Sequence, residues 1–231
     1  MRKITTLLLS LGIAFSIVFP ASAYSGSALK TVDLGVSNAV KAAQAAVTWK
    51  ECSQTFVLYC QEKSNTCGAA CVRMVLRVIN GSAPAESTVF NAVKDKDHPS
   101  QANANNMCAY INNRISSFAY KKYLPESLNT FKTKVYNTIV NKHAPVIVLV
   151  QQNLTTGSNG NSGWPTDAIY SHFVVIKAIS SDKTRVKIAD PSGKYYEMSI
   201  SKVYNSMHDD WEYKNGSGKW ISYCYLAARD W

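Results

Sequence analysis

The chain has 231 residues, a formal net charge of +10 at pH 7 and 46% hydrophobic residues. This length and composition can supply one sizeable core, or two small lobes around a cleft. The basic residues are scattered, with no dense basic run, zinc-finger spacing or helix-turn-helix pattern, so the excess charge indicates a solvated basic surface and no nucleic-acid partner.

The first residues have the pattern of an export signal. Arg2 and Lys3 form a positive start, residues 4–19 are almost wholly apolar, and residues 21–23 (Ala-Ser-Ala) form a small-residue cleavage site. The apolar run is short for a transmembrane anchor, and no cysteine stands at the junction to take a lipid. Residues 1–23 are therefore predicted to be a signal peptide. We expect a secreted protein without a membrane anchor, located outside the cell or, in a double-membrane bacterium, in the periplasm.

Residues 24–50 form a lead before the main domain, which we place at residues 51–231. The lead begins with polar and small residues and continues with apolar residues at helical spacing, namely Val36, Val40, Ala43 and Val47. The sequence leaves open whether this lead is a pro-segment or an N-terminal brace.

Six cysteines are present: Cys52, Cys60, Cys67, Cys71, Cys108 and Cys224. In an exported protein an even count favours three disulfides, although the sequence does not decide their connectivity. A disulfide at Cys67 would exclude a catalytic thiol there. A zinc site is disfavoured, because no C-x-x-C pair or H-x-x-x-H step is present, and no metal or other cofactor is expected.

Residues 61–81, reading QEKSNTCGAACVRMVLRVING, hold the first chemical candidate. Apolar residues recur at three- and four-residue steps after Cys67, which predicts an amphipathic helix that ends at the final Asn-Gly pair. Thr66 or Asn65 can serve as the N-cap, so Cys67 should lie in the first turn, where free N–H groups and the helix dipole favour a thiolate. Cys67 is therefore a candidate nucleophile, although many helices begin near a cysteine without being catalytic.

The remaining elements follow from shorter patterns. Residues 52–60 are expected to be extended and residues 86–94 and 107–118 helical. An amphipathic helix is expected to open at residues 125–127 and to end near residues 143–144, with Leu128, Phe131, Val135 and Ile139 on its apolar face. Strands are expected at residues 146–150, 173–176, 186–189, 195–200 and 221–226, with a mobile surface loop at residues 151–166. The fold class is therefore α+β, with an N-terminal helical lobe followed by a largely antiparallel β-sheet lobe.

The strands on either side of residues 180–183 form a predicted hairpin. An imidazole and a carboxylate lie at its open end. If the turn centres between Ser181 and Asp182, His172 faces Pro191 and Asp190 lies one step away. A carboxylate there would hold the imidazole in one tautomer and favour its protonated form. The alternative is that Asp190 belongs to an Asp-Pro-Ser-Gly turn signal and that His172 only ends a strand.

Other candidate sites are weaker. His98, His143 and His208 lack a carboxylate fixed beside them by a short hairpin. Acidic residues are few and scattered, which disfavours a paired-carboxylate glycosidase, and no Gly-rich phosphate loop is present.

Five segments follow one another in a recognisable order: Gln61, Cys67-Gly68-Ala69-Ala70-Cys71, Pro145-Val146-Ile147-Val148, His172-Phe173-Val174-Val175 and Ala189-Asp190-Pro191. This order, with the six-residue step from Gln61 to Cys67, resembles the papain-like cysteine peptidases, and among them the bacteriocin-processing, double-glycine leader peptidases and their secreted relatives. The resemblance covers residues 52–226. It implies a papain-like fold in which the helix of Cys67 packs against a sheet that carries His172 and Asp190.

The resemblance also implies a role for four residues. Cys67 would be the nucleophile, and His172 would draw its proton and later protonate the leaving amine. Asp190 would orient and charge His172. The Gln61 side-chain amide and the backbone N–H of Cys67 would form the oxyanion hole. The implied function is that of a cysteine-type peptidase, a thiol hydrolase whose partner is a polypeptide substrate.

Two alternatives stay open. Transporter-bound leader peptidases carry membrane spans and an ATPase that this sequence lacks, so leader processing is not implied. The first alternative is that the same four residues serve an amidase or a transpeptidase-type effector. The second alternative is a non-catalytic papain-like binding module with Cys67 locked in a disulfide. The sequence sets neither the specificity nor the oligomeric state.

Overall fold

A computed structural model describes residues 47–151, 171–208, 213–214, 220–221 and 223–229. These residues all belong to one unit of the chain, Ala45–Trp231. The predicted signal peptide, most of the predicted lead and nearly all of the predicted loop at residues 151–166 lie outside the described residues.

The helix that carries Cys67 has the predicted bounds. Helix α1 spans Cys67–Asn80, and Gly81 follows it with a φ of 72° and an N–H that bonds to the carbonyl of Arg77 at 3.0 Å. This left-handed conformation is the one that glycine adopts without a steric cost. The buried face of α1 consists of small and apolar residues, namely Gly68, Ala69, Ala70, Cys71, Val72, Met74, Val75 and Leu76. Small residues near the start of α1 allow it to approach the strand Ser171–Ser180 closely.

Two further helices complete the N-terminal part of the described chain, α2 at Glu86–Val93 and α3 at Ala104–Asn112. The first is close to its predicted range. The second begins three residues before the predicted start at residue 107, because the Asn103 side chain accepts hydrogen bonds from the N–H groups of Asn105 and Asn106 and caps the helix there. It also ends before the predicted limit at residue 118.

The sheet is antiparallel throughout its described pairings. Its strands are β1 (Trp49–Glu51), β2 (Tyr120–Tyr123), β3 (Val146–Gln151), β4 (Ser171–Ser180), β5 (Arg185–Asp190), β6 (Lys194–Ser199) and β9 (Tyr225–Ala228). Within the described chain, their order is β2-β9-β3-β4-β5-β6, and β1 also pairs with β4. Strands β3, β4 and β9 are almost continuously buried and form the centre of the core.

Several predicted bounds in the sheet lobe were wrong. Residues 52–60 are not a strand; β1 ends at Glu51, and β2 was not predicted. The strand predicted at residues 195–200 ends at Ser199, where helix α5 (Ile200–His208) begins. The strand predicted at residues 221–226 is divided between β9 and β8 (Trp220–Ile221), and β8 pairs with β7 (Tyr213–Lys214).

The amphipathic helix predicted before the central strands is present as α4, Leu128–Tyr136. Ser127 caps it by accepting a hydrogen bond from the N–H of Thr130 at 3.1 Å. A short π-helical turn, Asn137–Asn141, then leads toward β3. No helix in the described part of the chain is both long and apolar enough to cross a membrane.

Candidate active site

Cys67 is the first residue of α1, and its side chain is partly exposed. Thr66 occupies the N-cap position, but its hydroxyl does not cap the helix. Gly68 lies in close contact with the segment before α3, since a Cβ added there would stand 2.5 Å from Cβ of Ala102. The start of α1 is therefore fixed by close packing, with the thiol left accessible.

His172 lies on β4 and joins the two other members of the predicted triad. Its Nε2 is 2.8 Å from Oδ1 of Asp190, and its side chain is also hydrogen-bonded to Cys67. Because Nε2 is directed to the carboxylate, Nδ1 is the ring nitrogen left for the sulfur. His172 is 7% exposed and Asp190 is 1% exposed, so bulk water screens their interaction little. The structure thus brings three of the four predicted site residues into one hydrogen-bonded chain.

A β-bulge in β4 determines that His172 and Asp190 share a face of the sheet. The ladder with β5 pairs Ile179 with Val186, Ala178 with Lys187, Ile176 with Ile188 and Val175 with Ala189, and the register shifts at Lys177. Side chains alternate between the two faces of a strand, so the register near the turn, continued without a shift, would place His172 and Asp190 on opposite faces. The extra residue at Lys177 moves the pairing by one and returns both to one face. The predicted register, with His172 opposite Pro191, was wrong by one residue.

The electrostatics of the pair favour an ionised imidazolium and carboxylate. Burial by itself lowers the pKa of His172, but hydrogen bonds to Asp190 and Cys67 and the charges of both groups outweigh it and raise the pKa to about 9. Burial by itself raises the pKa of Asp190, but the hydrogen bond and charge of His172 and the N–H of Ser192 hold it below its ordinary value.

Gln61 is held next to the turn that follows Asp190. Its backbone N–H bonds to the carbonyl of Pro191 at 2.8 Å, and its side-chain Nε2 donates to the carbonyl of Lys63 at 2.8 Å. An amide nitrogen carries two hydrogens, so one remains available when Lys63 accepts the other. Gln61 Oε1 is buried without a hydrogen-bond partner among the described residues. The amide is thus oriented within its own loop, with one donor left over.

All six cysteines, including Cys67, are free in this structure, so the expected disulfides are not formed. Cys71, one helical turn after Cys67, is fully buried. Burial raises its pKa well above the ordinary value, so it stays a protonated thiol and does not compete as a nucleophile. In the described part of the chain, no group of three or more His, Cys, Asp and Glu side chains could hold a metal ion.

Sequence reasoning did not identify one buried carboxylate near the site. Glu86, the first residue of α2, is 1% exposed and bonds to Thr66, to the backbone of Glu62 and to Arg73. In the sequence it reads as an acidic residue in the first turn of a helix, which is an ordinary position for Glu. Only its burial distinguishes it, and burial is set by contacts far apart in the chain.

Residues 53–218 match the model of the Peptidase_C39 like family. No curated protein has a sequence that matches this chain.

Three solved structures illustrate the structural likeness. A double glycine motif protease from an AMS/PCAT transporter, solved in complex with the leader peptide, has 16% identity and a TM-score of 0.46, over 75% of this chain and 91% of that one. The peptidase domain of Streptococcus ComA, a bi-functional ABC transporter involved in a quorum sensing pathway, has 17% identity and a TM-score of 0.42, over 75% and 99%. Xylellain, a cysteine protease from Xylella fastidiosa, has 10% identity and a TM-score of 0.39, over 82% and 88%.

The α+β arrangement, with the Cys67 helix packed on an antiparallel sheet, is the papain-like cysteine peptidase fold. The family match covers most of the chain, including Cys67, His172 and Asp190. The resemblance found in the sequence is therefore confirmed, and the chain belongs to the Peptidase_C39 like family.

Proposed function

We propose that this protein is a secreted cysteine peptidase that hydrolyses peptide or amide bonds through Cys67, His172 and Asp190. The observation that carries the proposal is the position of His172, which is hydrogen-bonded to Cys67 on one side and to Asp190 on the other. Acyl transfer by a thiol requires a nucleophile in contact with a base, and a carboxylate that orients the base.

The proposed reaction has two stages. The Cys67 thiolate attacks the scissile carbonyl, and the imidazolium of His172 then donates its proton to the leaving amine. Neutral His172 next draws a proton from water, which attacks the acyl-enzyme and frees the new carboxyl end. Asp190 keeps the imidazole in one orientation and stabilises its charge throughout.

The oxyanion of each tetrahedral intermediate needs donors close to Cys67. We assign this role to the backbone N–H of Cys67, at the start of α1, and to the second amide hydrogen of Gln61. A donor of this kind is worth roughly 3 kcal/mol of transition-state stabilisation.

The proposed substrate is a polypeptide, and the proposed location is outside the cytoplasm, because residues 1–23 have the charge and hydropathy pattern of a signal peptide. The family match supports the peptidase assignment, and Cys67 is free in the structure as the proposal requires.

The test is incubation of the protein with a mixed peptide library, followed by sequencing of the products. We expect cleavage by the native protein and none by Cys67→Ala. Cys71→Ala is the matched control, because it removes a buried thiol one turn away and should leave cleavage sites unchanged. Equal product patterns from the native protein and Cys67→Ala would refute the proposal.

A further inference from the structure

We propose that Glu86 is a positioning residue for the oxyanion hole, and that it acts by fixing the loop between Gln61 and Cys67. This inference rests on the proposed function and adds to it a residue that touches neither substrate nor nucleophile. One carboxylate oxygen, Oε1, accepts from the backbone N–H of Glu62 at 2.7 Å and from the Thr66 hydroxyl at 2.5 Å.

The two partners of Oε1 stand next to the two proposed oxyanion donors. Glu62 directly follows Gln61, whose amide is one donor, and Thr66 directly precedes Cys67, whose backbone N–H is the other. A single buried carboxylate therefore holds both ends of the loop. Movement at either end would displace a donor from the position where charge develops, and such donors act only at short range.

Further hydrogen bonds lie inside the loop, around the carbonyl of Lys63. The carbonyl of Lys63 lies 3.1 Å from the N–H of Thr66 and 2.8 Å from Nε2 of Gln61, which occupies its two lone pairs. The Thr66 hydroxyl lies 2.9 Å from the same carbonyl but has a single hydrogen, and the 2.5 Å contact directs it to Glu86. Thr66 thus links the carboxylate to the carbonyl that orients the Gln61 amide.

A residue of α1 also binds the Glu86 carboxylate. Arg73, on α1, reaches Oε2 of Glu86 at 3.3 Å and donates from Nε to the carbonyl of Pro84 at 3.0 Å. The guanidinium also lies 4.2 Å from the ring centre of Tyr59. The Arg73 side chain is 16% exposed and that of Glu86 is 1% exposed, so this ion pair is a fixed part of the interior. Three donors around one carboxylate fit its ionised, acceptor-only form.

The test separates two reactions of Cys67 in the full chain. Alkylation by iodoacetamide needs the thiolate but develops no oxyanion, whereas acylation by p-nitrophenyl acetate passes through a tetrahedral oxyanion. Both rates are measured for Thr66→Val, which removes the hydroxyl at constant volume, and for Glu86→Gln. Reaction at the exposed Cys60 is removed by subtracting the rates of Cys67→Ala.

We expect acylation to fall by about tenfold or more in both variants while alkylation changes by less than about twofold. Thr66→Ser, which restores a hydroxyl, should recover acylation. Glu197→Gln is the control: it makes the same substitution in a surface ion pair with Arg185, where the Glu197 side chain is 42% exposed and takes no part in the loop between Gln61 and Cys67, so both rates should stay at the native level.

Equal losses in both reactions, or no loss in either, would overturn the positioning role and leave the proposed function standing. Glu86→Gln leaves Arg73 without a charged partner in the interior, so a failure of that variant to fold leaves Thr66→Val and its Ser rescue to decide. If the native protein is alkylated at Cys67 but is not acylated there, the proposed function itself falls, and the role of Glu86 with it.

Discussion

Asp190 Oδ1 receives a 2.8 Å hydrogen bond from His172 Nε2, while Oδ2 of the same carboxylate is buried without a hydrogen-bond partner among the described residues. Oδ1 also accepts from the N–H of Ser192 at 2.7 Å. A buried carboxylate with one unpaired oxygen is costly unless a nearby positive charge compensates it. The imidazolium of His172 is that charge, so each member of the pair requires the ionised form of the other.

Asp190→Asn should therefore lower the pKa of His172 from about 9, because burial is then opposed only by the hydrogen bond and charge of Cys67. The measurement is an NMR titration of the His172 ring, assigned by comparison with His172→Gln. The other histidines should titrate as in the native protein. A His172 pKa that stays at about 9 in Asp190→Asn would contradict this account of the pair.

The same pair predicts how stability depends on pH. The pKa of His172 is raised on folding, so its contribution is complete below its unfolded pKa of about 6.5 and is lost as the pH rises through about 9. The pKa of Asp190 is lowered on folding, so its contribution is present above about 3.9 and is lost as the pH falls through its lowered value.

Urea unfolding at pH 6.5 and pH 9.5 measures the first of these effects. Between these values, we expect the free energy of unfolding of the native protein to fall by up to roughly 3 kcal/mol more than that of His172→Gln. An identical change in the two proteins would show that His172 gains no charge-dependent stability on folding.

Gly68→Ala should disturb the start of α1. The added Cβ would meet Cβ of Ala102 at 2.5 Å, Phe173 at 3.2 Å and the sulfur of Met107 at 3.3 Å. Overpacking of this kind costs roughly 1–3 kcal/mol, and here it also displaces Cys67. We expect reduced thermal stability and reduced peptide cleavage.

Two variants serve as controls for this prediction. Gly81→Ala meets no atom within 4 Å but has a φ of +72°, so it should cost roughly 1 kcal/mol through backbone strain without affecting cleavage. Combining Gly68→Ala with Ala102→Gly removes the closest of these contacts and should recover part of both losses. If Gly68→Ala is as stable and active as the native protein, the close packing does not position Cys67.

Gln61→Ala should distinguish the contribution of the oxyanion hole to catalysis from that of Cys67, His172 and Asp190. Loss of one donor should lower kcat for peptide cleavage by about 10²-fold, while iodoacetamide alkylation of Cys67 stays unchanged. Lys63→Ala is the control, because Lys63 contributes only its backbone carbonyl to the Gln61 amide. Unchanged cleavage by Gln61→Ala would exclude this side chain from the oxyanion hole.

The parts of the structure that could be predicted from the sequence are those set by local rules. Helix α1 begins at Cys67 and ends at Asn80 as predicted, because its apolar periodicity and its Asn-Gly stop are both contained in one short stretch. Strand β3 was predicted to within one residue and β4 was located but predicted too short, at residues 173–176, because both strands are nearly continuous apolar runs whose ends carry no sharp signal.

The parts that could not be predicted depend on contacts distant in sequence. The bulge at Lys177 decides the register of the hairpin, and nothing local marks Lys177 as an extra residue. Glu86 is separated from Thr66 by twenty positions, so its burial cannot be seen from its neighbours in the chain. The start of α3 was also missed, because its Asn103 cap lies four residues before the predicted start at residue 107.

The central claim is that His172 activates the Cys67 thiol, and selective alkylation measures this most directly. The native protein is treated with a limiting amount of iodoacetamide at pH 6, where ordinary thiols are protonated and slow, and the labelled cysteine is identified by mass spectrometry. We predict rapid labelling of Cys67 in the native protein and a large loss of that labelling in His172→Gln. Equal rates in the two proteins, or labelling of Cys60 ahead of Cys67, would contradict the account.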